Sequence, residues 1–335
     1  SRVMLLTGFS SGGPKMNNST RNLKMKKLLI ASTALVATAG MAAADITVTG
    51  HAQAGYHSQL LTKGGASQST TSEGIYSGVG VDFAMSGATD NGISFSASLN
   101  IDAGTEIDQA DFQYDGADGG TAGLGAVTMS GAFGTLTFDD GGVGNLFDGD
   151  YSNHDISYAT TVNGVAISVA ADADESVTAG AAGTDDASAS ASVAAGDMTY
   201  TLTASNHATN GMSTKVAVAY TVNDMLSVNA NSKSLSAAGS KTVAGVGATI
   251  VANGLTVTVA SDNAQPNSGW DLDLAYSLGG VALTYGTDEN SSHDLTATYA
   301  LGGGATFKAG MRNHGTAAAK AAYKDSLYAG VSFAF

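Results

Sequence analysis

Cysteine is absent from the 335 residues, and proline occurs only twice. The absence of cysteine excludes disulfide scaffolds, thiolate zinc sites and thiol nucleophiles. Basic residues are also scarce, with 14 Lys and Arg against 29 Asp and Glu, a net charge of -15. Nucleic acid is recognised by clustered Lys and Arg, so no nucleic-acid partner is expected. With 43% hydrophobic residues, the chain is too apolar for a disordered acidic segment.

The first 44 residues differ from the rest in charge. Six of the 14 basic residues and no acidic residue precede Asp45, so the remainder has a net charge of -21. Two lysines lead into an apolar run that ends at the small-residue motif Ala42-Ala43-Ala44. We interpret residues 1–24 as a disordered upstream extension, 25–44 as a secretory signal peptide and 45–335 as the mature chain. A transmembrane anchor is the alternative, although the run is short for one.

Polar and apolar residues alternate along most of the mature chain. In the clearest example, Ile93, Phe95 and Leu99 share one face, while Ser94 and Asn100 share the other. A period of two predicts β-strands. No later segment has 18 consecutive apolar residues, which excludes a helical membrane protein. The mature protein is therefore either a soluble β protein, such as an array of two-sheet sandwiches, or a membrane barrel.

The connectors between the alternating runs fall into two length classes. Short ones such as Asn91-Gly92 and Asn163-Gly164 suit tight hairpin turns, and longer polar ones, such as residues 104–121, follow the opposite strand ends. Short turns on one rim and long loops on the other are typical of outer-membrane barrels, whose closure satisfies every backbone polar group. Counting hairpins predicts 18 strands: two before Asn91, three more up to Asp139 and 13 after it. The predicted fold is an all-β, transmembrane, antiparallel up-and-down barrel.

Several stretches resemble known outer-membrane proteins. The last ten residues alternate and end on Phe335, which resembles the C-terminal assembly signal of such barrels. Residues 85–92 and 130–137 resemble the most recognisable stretches of alphaproteobacterial general diffusion porins, a Gram-negative outer-membrane family. The resemblance implies a homotrimer of 16-stranded barrels, fewer strands than the hairpin count. It also implies contact with outer-membrane lipid and lipopolysaccharide, and recognition by the barrel assembly machinery through Phe335.

The resemblance further implies that a long loop folds into the barrel and narrows it. In this chain the corresponding loop is residues 138–154. Its acidic residues are the candidates for the constriction: Asp139, Asp140, Asp148 and Asp150. The alternative is a solvated acidic loop on the surface.

The alternation also predicts which side chains line the lumen. The candidates are His51, Gln53, Asp82, Asn100, Asp102, Asp271, Asp273, Lys308 and Arg312. Where the family carries wall arginines opposite its loop, this chain has Gln53, Gly78, Gly80 and Asn100, so we expect a weaker transverse field. The acidic excess predicts a preference for cations.

Catalytic and metal-binding motifs are missing. The sequence has no Gly-x-Ser-x-Gly, His-Glu-x-x-His or phosphate-loop motif, so no enzyme, catalytic residue or cofactor is expected. His51 and His57 share a face but lie about 20 Å apart along a strand, too far for one ion. Acidic connectors such as Asp111, Asp115 and Asp118 could hold Ca²⁺ or Mg²⁺, or simply aid solubility. We therefore predict a general diffusion porin, with a secreted surface-layer or adhesive β protein as the alternative.

Overall fold

The computed structural model describes residues 44–62, 71–148, 151, 153–173, 187–207, 211–236, 240–264, 269–315 and 324–335. The predicted upstream extension, nearly all of the predicted signal peptide, and Asp150 lie outside the described residues. Within these ranges, no helix is long and apolar enough to cross a bilayer.

Strands make up the regular structure of the described residues. They are β1 (Asp45–Ser58), β2 (Leu61–Thr62), β3 (Gly74–Ala88), β4 (Ser94–Asp108), β5 (Gln113–Gly131), β6 (Gly134–Val143), β7 (His154–Val162), β8 (Val165–Ala171), β9 (Ala187–Ala195), β10 (Met198–His207), β11 (Gly211–Asn223), β12 (Leu226–Ser234), β13 (Val243–Ala252), β14 (Leu255–Asp262), β15 (Trp270–Leu278), β16 (Val281–Asp288), β17 (His293–Gly302), β18 (Ala305–Asn313) and β19 (Ser326–Ala334).

The strands close into a single barrel. Every strand except the two-residue β2 pairs antiparallel with the next barrel strand along the chain, and β1 completes the ring by pairing with β19. The described residues thus form an 18-stranded barrel, and the hairpin count is confirmed. The 16 strands implied by the family resemblance are wrong for this chain. Its barrel has nine hairpins, one more than 16 strands would form.

Tight turns define one rim of the barrel, here called the turn rim. At Asn163 and Gly164 the φ angles are 52° and 82°, and at Asn253 and Gly254 they are 51° and 79°. Two consecutive positive φ angles match the twist of a two-residue β-hairpin, and Asn-Gly is the pair that adopts them most readily. The longer connectors lie at the opposite end, the loop rim.

The two faces of the barrel wall differ in polarity, as the alternation predicts. Apolar side chains on the outer face are open, for example Val79 at 52% and Leu202 at 52% exposure. On the inner face, hydroxyl groups pair across strands, as in the 3.1 Å hydrogen bond between Ser192 and Thr201. An apolar exterior around a polar interior suits a bilayer, whereas a soluble protein would bury such a belt.

One hairpin leaves the wall and enters the lumen. The pairing of β3 with β4 ends at Gly78 and Gly104, although β4 continues to pair with β5 up to Asp108 and Gln113. Gly104 has a φ of 98°, and a Cβ there would lie 2.3 Å from the carbonyl oxygen of Ser77. A residue with a side chain would be strained and would clash at this bend. Residues 105–118 beyond it are here called the lumen hairpin.

A small apolar core fastens the lumen hairpin to the inner wall. Its members are Leu60, Tyr76, Ile107, Phe112 and Tyr328. The Arg312 guanidinium stacks 4.5 Å from the centre of the Phe112 ring and donates a 2.7 Å hydrogen bond to the carbonyl oxygen of Asp111. The Tyr328 hydroxyl donates to the Gln109 carbonyl oxygen at 3.2 Å. The tip is therefore held by β18 and β19 as well as by its own strands.

Candidate functional site

The lumen hairpin narrows the passage through the barrel. Gln109, Ala110 and Phe112 at its tip line a cavity of about 480 Å³ together with inner-face residues of β14 to β17, including Asp273 and Thr296. The hairpin starts from the wall at β4 and β5, so its tip reaches well across the barrel interior. The sequence predicted only an ordinary connector at residues 104–121.

Four titratable side chains meet on the wall beside the hairpin. The His51 ring lies 3.2 Å from Asp82, 3.3 Å from Asp102 and 3.8 Å from Glu106, measured between ring nitrogens and carboxylate oxygens. We call this group, carried by β1, β3 and β4, the acidic wall. Gly80 lies between them, and a Cβ there would be 2.2 Å from the His51 ring. Three carboxylates around one imidazole leave this side of the lumen negative.

Other predicted lumen residues surround the acidic wall. The Asn100 amide donates to Asp102 at 2.6 Å, and the Gln53 side-chain oxygen accepts the Ile107 amide at 3.5 Å. Lys308 lines the same cavity of about 660 Å³ as His51 and Gln53. The structure thus brings six of the nine lumen candidates into one region.

A second charged region lies on the opposite side of the ring, on β11 and β12. Lys215 and Lys233 are direct cross-strand partners on the inner face. In either direction around the 18-stranded ring, eight strands lie between β3 and β12. Neither lysine is among the predicted lumen residues, although the alternation of Met212, Thr214 and Val216 around Lys215 indicates an inward direction for Lys215.

The described residues that follow β6 lie against the inner wall near these lysines. We call residues 144–148 the wall loop. The Leu146 amide donates to the Ser188 hydroxyl at 3.0 Å, and the Phe147 side chain is only 3% exposed. Beneath the loop runs a row of small, buried residues on successive strands: Ala170, Ser188, Ser205 and Ser213. Small side chains there leave room for the loop to pack flat on the wall.

A closed barrel with a narrowed polar lumen agrees with the sequence comparison. A model of the Gram-negative porin family matches residues 31–266, more than half of the chain. The chain belongs to the Gram-negative porin family. Its fold and family make it an outer-membrane channel for general diffusion.

Solved porin structures resemble this porin in fold. A triple mutant and a double mutant of the Rhodopseudomonas blastica porin are each 15% identical to it. Both matches cover 87% of this chain and 100% of the other, with a TM-score of 0.49. No curated protein sequence matches the chain.

The porin distributes the four predicted constriction residues over different places. Asp139 and Asp140 lie in β6, which continues to Val143, so the connector is shorter than the predicted loop of residues 138–154. Asp148 lies in the wall loop and pairs with Lys233 at 2.5 Å. Asp150 lies outside the described residues. Their role in a constriction stays a prediction.

The remaining lumen candidates lie on β15 and β18. Asp271 and Asp273 are on the inner face of β15, beside the cross-strand partners Asp288 and Gly286. Arg312 makes a two-point ion pair with Asp294, at 2.7 and 2.8 Å. This pair neutralises the one arginine that follows Asp45 in the sequence. Within the described ranges, no group of three or more His, Asp and Glu side chains has an arrangement that could hold a metal ion.

A buried histidine joins the wall loop to the barrel. His154 is 0% exposed and lies 3.0 Å from Asp172, 2.9 Å from the Ser188 hydroxyl and 3.2 Å from the Asn145 amide. Ser188, His154 and Asp172 have the hydrogen-bond order of a hydrolase triad. However, Ser188 is 3% exposed and its oxygen also accepts the Leu146 amide, so a substrate carbonyl has no access. The group anchors the loop.

Replacing this anchor is expected to loosen the wall loop. His154→Ala would remove the shared partner of Asp172 and Ser188 and leave buried polar groups unpaired, which costs about 1–3 kcal/mol per group. We expect a lower unfolding temperature in detergent and faster hydrogen exchange at the Leu146 amide. His293→Ala removes an exposed hydrogen bond to Tyr285 and is the control. Equal effects of the two substitutions would contradict the anchoring role.

Proposed function

We propose that this porin passes small hydrophilic solutes and ions by diffusion, with a preference for cations and without catalysis. The observation that carries the proposal is the acidic wall, where three carboxylates converge beside the lumen hairpin. Like charges at a narrow place with low-dielectric walls raise the local concentration of counter-ions and repel co-ions.

The basic side chains of the lumen offset this charge only in part. Lys233 pairs with Asp148, and Arg312 pairs with Asp294. Among the described residues, Lys308 and Lys215 are further inner-face bases, and Asp271 is one of several further inner-face carboxylates. Family membership does not favour the alternative of a secreted surface-layer or adhesive protein.

The proposal is tested by the reversal potential of single channels in a salt gradient. Refolded chain from Asp45 to Phe335 is inserted in a planar bilayer, with the higher salt concentration on one side. We expect a reversal potential of cation sign that shrinks as the salt concentration rises, because screening weakens exposed charges. A reversal potential of anion sign would refute the cation preference while leaving the channel intact. If folded protein inserts but carries no ion current, the channel function itself is refuted.

The proposed partners follow from the family resemblance. We propose a homotrimer that contacts outer-membrane lipid and lipopolysaccharide. We also propose that the barrel assembly machinery recognises Phe335. In support, Phe335 is 77% exposed and its ring stacks on Phe333 with centroids 6.4 Å apart, which leaves an aromatic end free for recognition. Binding of Ca²⁺ or Mg²⁺ at the acidic connectors stays a prediction.

A further inference from the structure

A polar groove crosses the inner face of β11 to β15 near the loop rim. It encloses about 260 Å³ and lies apart from the cavity beside the acidic wall. Its charged and amide lining consists of Lys215, Asn229, Asn231, Lys233, Asp262 and Asp271. We call it the dipolar groove, because its bases and its acids occupy opposite ends.

Glycines on β13 keep the middle of the dipolar groove open. Gly245 pairs with Asn231 on one side and Asp262 on the other, and Gly247 pairs with Asn229. A Cβ on either glycine would lie 2.9 Å from the neighbouring asparagine amide nitrogen. Any larger residue would therefore displace the amides and fill the groove.

The basic end has an ammonium group without a partner. Lys215 and Lys233 are direct cross-strand partners, and like charges in that position destabilise each other. Asp148 neutralises Lys233, but Lys215 makes no ion pair within the described part of the chain. An incoming carboxylate would relieve this repulsion.

The acidic end has the same arrangement as the basic end, with the opposite charge. Asp271 is exposed and is the direct cross-strand partner of Asp288, again a pair of like charges. Asp262 accepts the Ala264 and Gly269 amides, whereas the Asp271 carboxylate has no hydrogen bond or ion pair among the residues that the structure describes. An incoming ammonium group would relieve the repulsion at this end.

The distance between the two ends selects the length of a ligand. β11 and β15 are four strands apart, roughly 19 Å at about 4.8 Å per strand. The chain of cross-strand partners that starts at Asp271 reaches β11 at Ala219, so Lys215 is displaced from Asp271 by four residues, roughly 13 Å, along the strands. The two α-carbons are therefore roughly 23 Å apart along the wall. A lysine side chain reaches roughly 6 Å and an aspartate roughly 3 Å, which leaves roughly 14 Å between the charges, the length of about four extended residues. An α-amino acid, with both charges on one carbon, is too short to contact both ends.

We propose that the dipolar groove binds linear zwitterions of this length, such as short peptides, with the carboxylate at Lys215 and the ammonium group at Asp271. The inference rests on the proposed function, since it makes the groove a binding station on the diffusion path. A solute with a single charge is attracted to one end of the groove and repelled by the other. The asparagine amides over the glycine floor offer hydrogen bonds to the peptide groups between the ends.

Tetraglycine is the probe, added to single channels of the whole mature chain. We expect concentration-dependent interruptions of the ion current by tetraglycine and none by its doubly capped analogue, N-acetyl-tetraglycine amide. Lys215→Gln and Asp271→Asn should each weaken the block about threefold to fivefold, as expected for partly exposed ion pairs. Lys241→Gln, an exposed lysine outside the groove, should leave the block unchanged.

A binding measurement separates this proposal from the proposed function. Tetraglycine is titrated onto the detergent-refolded barrel by calorimetry, which requires no conduction. Channels that conduct normally, with neither block nor heat from tetraglycine, would overturn the groove proposal alone. Equal block by the capped analogue, or unchanged block in both groove variants, would overturn it as well. Folded protein that binds tetraglycine but never conducts would overturn the proposed function and leave the groove proposal standing.

Discussion

Channels without the lumen hairpin are expected to conduct on the order of twice the current of the intact channel or more, because the obstruction in the lumen is gone. The hairpin lies between the cavity at the acidic wall and the inner face of β14 to β17. Ions that pass this level of the barrel must go around it. Its removal shortens and widens the narrowest part of the path, and both changes raise the conductance.

The register of the strands provides a clean deletion. Gly104 and Asp118 are cross-strand partners, so residues 105–117 can be replaced by a two-residue Asn-Gly turn that closes the shortened hairpin. The replacement leaves the 18-stranded ring complete, since β3 and β4 pair only up to Gly104. Deleted channels with an unchanged conductance would show that the hairpin does not limit the flow.

Labelling checks the same expectation without a deletion. The sequence contains no cysteine, so a single introduced thiol is the only reactive one. A bulky thiol reagent on a Gln109→Cys variant should reduce the current strongly, because Gln109 lines two lumen cavities. The same label on an Asp197→Cys variant, at a tight turn on the rim, is the matched control and should leave the current near its starting value.

The sequence predicts the barrel well because the signals for it are local. Alternation assigns each strand face, and pairs such as Asn163-Gly164 mark the turns, so strand number followed from neighbouring residues alone. The lumen hairpin was missed because glycine and polar residues dominate residues 104–121, a composition that predicts an ordinary polar connector. Only long-range contacts, such as that of Arg312 with Phe112, show that this strand end turns inward.

The charged sites were predictable to different extents. The alternation predicts that the side chains of His51, Asp82 and Asp102 point into the lumen. It does not predict that they meet, because their contact depends on the strand register and on the space at Gly80. Lys233 could have been placed in the lumen by the same alternation. Its ion pair with Asp148 could not, because that contact depends on the path of an irregular loop.

Neutralising the acidic wall is expected to remove most of the cation preference. In the triple variant Asp82→Asn, Asp102→Asn, Glu106→Gln, the shapes are nearly conserved and three negative charges are lost at one level of the lumen. Of the carboxylates that line the same cavity as Lys308, only Asp108 and Asp115 would then remain. We expect the cation-to-anion permeability ratio to fall roughly threefold or more, because a charge acts most strongly where the path is narrow.

The position of the charges, not their number, decides this result. A comparison variant with Asp90→Asn, Asp197→Asn and Asp224→Asn removes the same total charge from tight turns on the turn rim. Those carboxylates face bulk water, where ions at 0.1 M salt screen them within about 10 Å. The comparison variant should therefore keep nearly the full permeability ratio, and the gap between the two triple variants should narrow at high salt. Equal losses in both would mean that the overall charge of the barrel, and not the acidic wall, sets the selectivity.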